Sequence, residues 1–180
     1  MPSGVPKRGE SLADLFPALA AQWHPTANKK LRHLTGPLKG EFLTPRNVTV
    51  GSSKEITWKC DVADDHVWSA VIKNRTKLGN RCPFCAGNQL SATNSLATRF
   101  PDVAKEWHPT LNGEVRPEDV LGGTNDKYWW KCAAAPDHVW SAKVSVRTSP
   151  SAGTGCPFCS GQQLSVTNRL SDQAQFSEIV

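Results

Sequence analysis

Apolar residues recur at helical spacing between Ser11 and Trp23, through Leu12, Leu15, Phe16 and Leu19. Ser11 stands where an N-cap belongs, and Pro17 interrupts the pattern midway, which predicts two short helical turns rather than one helix. His24-Pro25-Thr26 stops the segment, since a residue before proline is pushed out of the helical region. The period then changes. Trp58-Lys59-Cys60 and His66-Val67-Trp68-Ser69-Ala70 alternate and are rich in aromatics, as short half-buried strands are. They read as a hairpin whose loop is residues 61–65 and whose second strand continues through Val71-Ile72-Lys73-Asn74-Arg75-Thr76.

The whole pattern recurs. Residues 94–110 repeat the helical segment through Leu96-Ala97, Phe100-Pro101 and Trp107-His108-Pro109-Thr110. Trp130-Lys131-Cys132 and His138-Val139-Trp140-Ser141-Ala142 repeat the hairpin around residues 133–137, with Val144 to Thr148 as the continued strand. Residues 45–52 and 117–124 are parallel turns ahead of the two hairpins, and Cys82-Pro83-Phe84-Cys85 and Cys156-Pro157-Phe158-Cys159 follow them. This predicts a disordered leader over 1–10, one repeat over 11–90 and a second over 91–167. Residues 168–180 are then a C-terminal cap or the opening of a truncated third repeat. The first copy carries about twelve extra residues around Lys29-Lys30-Leu31-Arg32-His33, an insertion of the kind loops accept at small entropic cost.

Each copy supplies three cysteines and one histidine at matched spacing. Cys60-x5-His66 precedes Cys82-x2-Cys85, and Cys132-x5-His138 precedes Cys156-x2-Cys159. Zinc in a structural site takes four sulfur or nitrogen donors in a closed tetrahedron, and Cys-x2-Cys places two sulfurs on one ion. A disulfide framework would leave one cysteine over in each copy and gives no reason for a histidine to recur in step. A redox Cys-x2-Cys occurs once, in a βαβ setting. The reading is therefore two zinc ions per chain.

Length supports a metal. The 180 residues make two units of about 75 to 85 residues, too small to gain much from apolar burial alone. Zinc binding free energy then becomes folding free energy. Thiols kept for metal suit a reducing compartment. With no apolar run of signal-peptide or membrane-spanning length, an intracellular soluble protein is expected. The net charge of +5 is unevenly spread, with 14 Lys/Arg against 7 Asp/Glu over residues 1–100 and 7 against 9 over 101–180. A polyanion would engage mainly the first half.

Trp-x-Cys, His-x-Trp-Ser-Ala, an arginine seven residues past that tryptophan (Arg75, Arg147) and Cys-Pro-Phe-Cys-x-Gly resemble a family of probable zinc-ribbon domains, treble-clef-like and of unknown function. The resemblance covers roughly residues 11–170. It implies small α+β zinc-stabilised repeats, each a short helical segment plus a β-hairpin and a Cys-x2-Cys knuckle. It also implies the eight ligands named above, Trp58, Trp68, Trp130 and Trp140 as hairpin core, and nearby nuclease domains in some members.

Such modules present rigid hairpins to nucleic acid or protein. The candidate nucleic-acid contacts are Lys73, Arg75, Lys77 and Arg81, then Lys143 and Arg147, together with Lys29, Lys30 and Arg32 of the insertion. Arg75 and Arg147 have a structural alternative, stacking on a hairpin tryptophan or pairing with an acidic loop. Trp23 and Trp107 read as anchors of the helical segments. The expected function is non-catalytic binding of nucleic acid, DNA ahead of RNA, with a protein partner as the alternative and no membrane. An enzyme reading rests on the recurring His24-x3-Asn28 and His108-x3-Asn112, since His-Asn pairs on treble-clef scaffolds do occur in nucleases. Against it stand the four filled zinc positions and the lack of any Asp-x-Lys or Glu-x-Lys tripeptide.

Overall fold

A computed structural model describes residues 5–151 and 153–169, and the chain divides into two compact units, Met1–Ala86 and Gly87–Val180. The third-repeat expectation from Leu170 onward lies outside the described residues, as do the first four residues of the leader. Residues 7–10 form a turn in which the Glu10 N–H donates to the Lys7 carbonyl.

In the first unit Ser11 caps α1 (Leu12–Leu15), its hydroxyl accepting from the Asp14 N–H while the Asp14 carboxylate accepts from the Ser11 N–H. Phe16 closes α1 and Pro17 opens α2 (Pro17–Ala21), at the position where a missing N–H costs nothing. The hairpin follows as β1 (Glu55–Lys59) and β2 (Val67–Val71), antiparallel, with Trp58 opposite Trp68.

The expected continuation of the second strand is corrected here. β2 ends at Val71, and α3 (Ile72–Thr76) is a helical turn. Ile72 and Arg75, three apart, are the two residues it buries, a spacing that only helical backbone turns to one side. The Thr76 hydroxyl fixes the turn by donating to the Val50 carbonyl at 2.6 Å. Six residues are too few to separate a period of two from one of 3.6.

The second unit repeats this order with α4 (Leu96–Arg99), α5 (Pro101–Ala104), β3 (Lys127–Lys131), β4 (Val139–Lys143) and α6 (Val144–Arg147). Trp130 stands opposite Trp140, and α6 again replaces the expected strand. Each core is built on the inward tryptophans. Trp58 and Trp130 are fully buried, and their indole N–H groups donate across the hairpin to the Ala70 and Ala142 carbonyls. Trp23 and Trp107 pack edge-on against them, as anchors of the helical segments.

The insertion is folded. A short 3-10 turn, Ala27–Lys30, leads into a loop closed by an Arg32–Phe42 bridge, with His33 and Leu43 buried beneath it. Among the described residues no helix is long and apolar enough to cross a membrane.

The His-x3-Asn pairs have a backbone role. The buried Asn28 side chain donates to the Thr57 carbonyl at 2.7 Å and accepts the Thr57 N–H at 2.9 Å, imitating a strand on the free edge of β1. His24 Nδ1 accepts from the N–H groups of Thr26 and Ala27. Asn112 and His108 do the same for Trp129 and the Thr110-Leu111 turn. Asn28→Ala removes both bonds; the Thr57 carbonyl keeps the His24 N–H at 3.1 Å, but its partly buried N–H loses the Asn28 acceptor, so urea denaturation of that variant is expected to show a loss of about 1–3 kcal/mol.

Candidate metal centres

Two loops meet at each site. The tip of the β1–β2 hairpin brings Cys60 and His66, since the Cys60 N–H donates to the His66 carbonyl at 3.0 Å and so closes the turn. The knuckle brings Cys82 and Cys85, with the Ala86 N–H folded back onto the Cys82 carbonyl. In the second unit the same two turns bring Cys132 and His138 against Cys156 and Cys159. All eight sequence-derived ligands therefore fall into two clusters, each with one donor atom per residue and all four atoms within 4.8 Å of one another.

The separations fit zinc. Bonds of about 2.3 Å to sulfur and about 2.0 Å to nitrogen, in a tetrahedron, imply S···S edges of about 3.8 Å and S···N edges of about 3.5 Å. Cys60 Sγ lies 3.7 Å from Cys85 Sγ, and His66 Nδ1 lies 3.7 Å from Cys82 Sγ and 3.4 Å from Cys85 Sγ. The second cluster gives 3.7, 3.6 and 3.4 Å for the corresponding edges. Two Cys3His clusters thus fit two zinc ions.

Electrostatics point the same way. Burial and the adjacent Cys60 and Cys82 sulfurs push the Cys85 thiol up to about 12. Bonding to Cys132 and Cys156, with burial, pushes Cys159 up to about 11. Thiols this crowded resist ionising together unless a cation shares them, and a coordinating thiol is deprotonated outright.

The histidines turn Nδ1 toward the sulfurs, and a ring that held zinc through that atom would carry its proton on Nε2. In the second unit His138 Nε2 donates to Ser165 Oγ at 3.2 Å, with Thr167 Oγ1 at 3.3 Å. Thr167 in turn donates through its hydroxyl and N–H to the Asp137 carboxylate. In the first unit the Asp65 carboxylate lies 3.9 Å from His66 Nε2. Outer partners of this kind fix the ring and its tautomer. Phe84 stacks on His66 at 5.0 Å and Phe158 on His138 at 5.1 Å, which explains the aromatic inside each Cys-Pro-Phe-Cys. Sequence reading misses these residues. The signal was present in the Asp-His pair and the Ser-x-Thr-Asn segment after the knuckle, both found twice (Asp65-His66 and Asp137-His138; Ser91 to Asn94 and Ser165 to Asn168).

The basic candidates divide. Arg75 and Arg147 are each only 6% exposed, so as nucleic-acid contacts they are corrected to core residues. Arg75 Cζ sits 4.5 Å from the Trp58 ring and 5.0 Å from Trp68, with Nη2 donating to Gln22 Oε1 at 2.8 Å. Arg147 stacks likewise on Trp130 and Trp140 and pairs with the Glu106 carboxylate. Burial lowers the Arg75 pKa, and the Cys82 and Cys60 sulfurs oppose that shift. A dication with three thiolates carries one net negative charge, which the buried guanidinium offsets. Lys29, Lys30, Arg32, Lys73, Lys77, Arg81 and Lys143 are exposed.

A family model described as "Probable Treble clef zinc finger domain" matches residues 36–88 and 103–162, each stretch containing one complete ligand set. No curated protein matches the chain.

Cys82→Ser removes one ligand from the first tetrahedron only. Native mass spectrometry of that variant is expected to show one zinc per chain instead of two, with the first unit unfolded and the second retaining its amide dispersion. Ser165→Ala leaves all ligands in place, and competition with a chelator is expected to show a loss of about 10–100-fold in affinity at the second site.

Proposed function

The chain belongs to the family of probable treble clef zinc finger domains, and from that premise we propose a non-catalytic module that binds nucleic acid, DNA ahead of RNA, through the exposed cations of its first unit. The observation that carries this reading is the one-sided charge. Met1–Ala86 holds 13 Lys/Arg against 7 Asp/Glu, whereas Gly87–Val180 holds 8 against 9.

Some of the first unit's cations share a surface. Lys30, Arg32 and Lys54 line a groove with Leu31, Leu34, Leu43 and one acidic residue, Glu55. The Ile72 N–H donates to the Lys54 carbonyl and the Lys73 N–H to the Ser52 carbonyl, so α3 continues that surface. Lys73 and Lys77, four apart, share a face of this turn. Lysines and arginines so arranged neutralise phosphates without reading sequence. Chemistry has little room here. Four protein donors fill each tetrahedron and leave no position for water, and the His24-Asn28 pair is engaged with backbone.

A protein partner remains the second reading, favoured by the apolar groove that Trp23, Pro25, Phe42, Leu43 and Pro45 line beside the insertion. The two readings part on salt. Fluorescence anisotropy of the zinc-loaded chain with duplex DNA is expected to show affinity that falls steeply as salt rises. Lys73→Ala with Lys77→Ala should flatten the slope by about 0.9 per lost phosphate contact. Both side chains are exposed, so the fold should be kept. An unchanged slope removes α3 from the interface, and no binding at low salt transfers the case to the protein partner.

A further inference from the structure

Of the seven tryptophans, Trp129 alone is 41% exposed; the others belong to the two cores or pack against them. Strand alternation sets Lys127, Trp129 and Lys131 of β3 on the outward face of the second hairpin, beside Ser141 and Lys143 of β4. The register puts Lys127 directly opposite Lys143 and Trp129 opposite Ser141. Like charges directly opposite destabilise a ladder, and among the described residues none of these three lysines forms an ion pair. General surface basicity does not account for them, because this unit is slightly acidic on balance.

The first hairpin provides the contrast. Its outward positions are Glu55, Thr57 and Lys59 against Ser69 and Val71, and Lys59 is paired with Asp64 at 2.7 Å. The inward tryptophans and arginine match between the copies, whereas the outward positions of the two hairpins carry different charges. The Trp129 backbone is also held firmly. Asn112 accepts its N–H at 2.8 Å and donates to its carbonyl at 2.9 Å, and the His108 N–H donates to that carbonyl at 3.0 Å.

We propose that this face is a second nucleic-acid site, one that takes an unpaired strand: a base stacks on the Trp129 indole while flanking phosphates meet Lys127, Lys131 and Lys143. The reason is chemical. Every base offers a π-face to an exposed indole, and adjacent ammonium groups neutralise the backbone that carries it. In a duplex those faces are covered by neighbouring base pairs, so this platform selects single strands. The proposal rests on the nucleic-acid reading for its class of polymer, but on different residues in a different unit.

The test uses the full zinc-loaded chain with labelled oligothymidylate, oligouridylate and a blunt duplex. Trp129→Ala is expected to weaken single-strand binding on the order of tenfold and to abolish the tryptophan quenching that accompanies it. Trp129→Phe should keep most of the affinity, and duplex binding should be unchanged in both variants. Lys127→Ala with Lys143→Ala should flatten the single-strand salt slope by about 1.4. Either strand chemistry behaving this way supports the site and names its sugar. Single-strand affinity indifferent to Trp129→Ala overturns the proposal and leaves the first-unit reading standing, whereas failure of every nucleic acid to bind overturns both. Polyglutamate that competes as well as oligothymidylate also overturns it, by showing a surface that recognises charge alone.

Discussion

Each unit is short of apolar core, so packing alone cannot hold the hairpin tip against the knuckle. That contact falls to four side chains, Cys60, His66, Cys82 and Cys85 in one unit and Cys132, His138, Cys156 and Cys159 in the other. Their donor atoms stand at tetrahedral separations, and three thiols at such distances ionise together only around a cation. Much else follows from this. The hairpin register sets Trp58 opposite Trp68, and α3 turns back to place Arg75 over both rings. The guanidinium then lies where a charge is needed to balance the thiolates.

Duplication allows the two copies to serve as controls for one another. What they share is structural: the ligands, the inward tryptophans, the buried arginine, the N-caps Ser11 and Ser95, and the Asn28 and Asn112 strand mimics. The larger differences lie on the surface. The first copy has the folded insertion and the excess of lysine and arginine, and the second has Trp129 among exposed lysines. The buried arginine is itself served differently, by the neutral Gln22 in one unit and by the Glu106 carboxylate in the other. Divergence at the surface over a largely shared interior fits the proposal that one scaffold carries two contact faces.

Features encoded by local spacing were legible in the sequence. The Cys-x5-His and Cys-x2-Cys halves of the ligand sets, the hairpins, the proline-split helical pair and the Ser11 cap each depend on residues close together in the chain, and the repetition of the two halves in both copies joins them into sets. The helical turns α3 and α6 were not, because a six-residue stretch such as Val71 to Thr76 suits either period until the tryptophans it must cover are in place. Arg75 and Arg147 looked like phosphate contacts for the same reason, since their burial depends on partners 17 and 7 residues back in the chain and on the fold between. The outer shell of the metal centre was also hidden. Ser165 meets His138 directly from 27 residues away, and Asp137 is tied to the same ring through Thr167, 30 residues further on, a relation that spacing alone cannot express.

The central claim is that zinc holds each unit together. The most direct measurement is removal of metal by a strong chelator under reducing conditions, followed by titration of zinc back into the protein, with folding read by near-ultraviolet circular dichroism of the buried tryptophans. The signal should collapse on stripping and return fully at two equivalents of zinc. A near-ultraviolet spectrum that survives complete removal of the metal would contradict it.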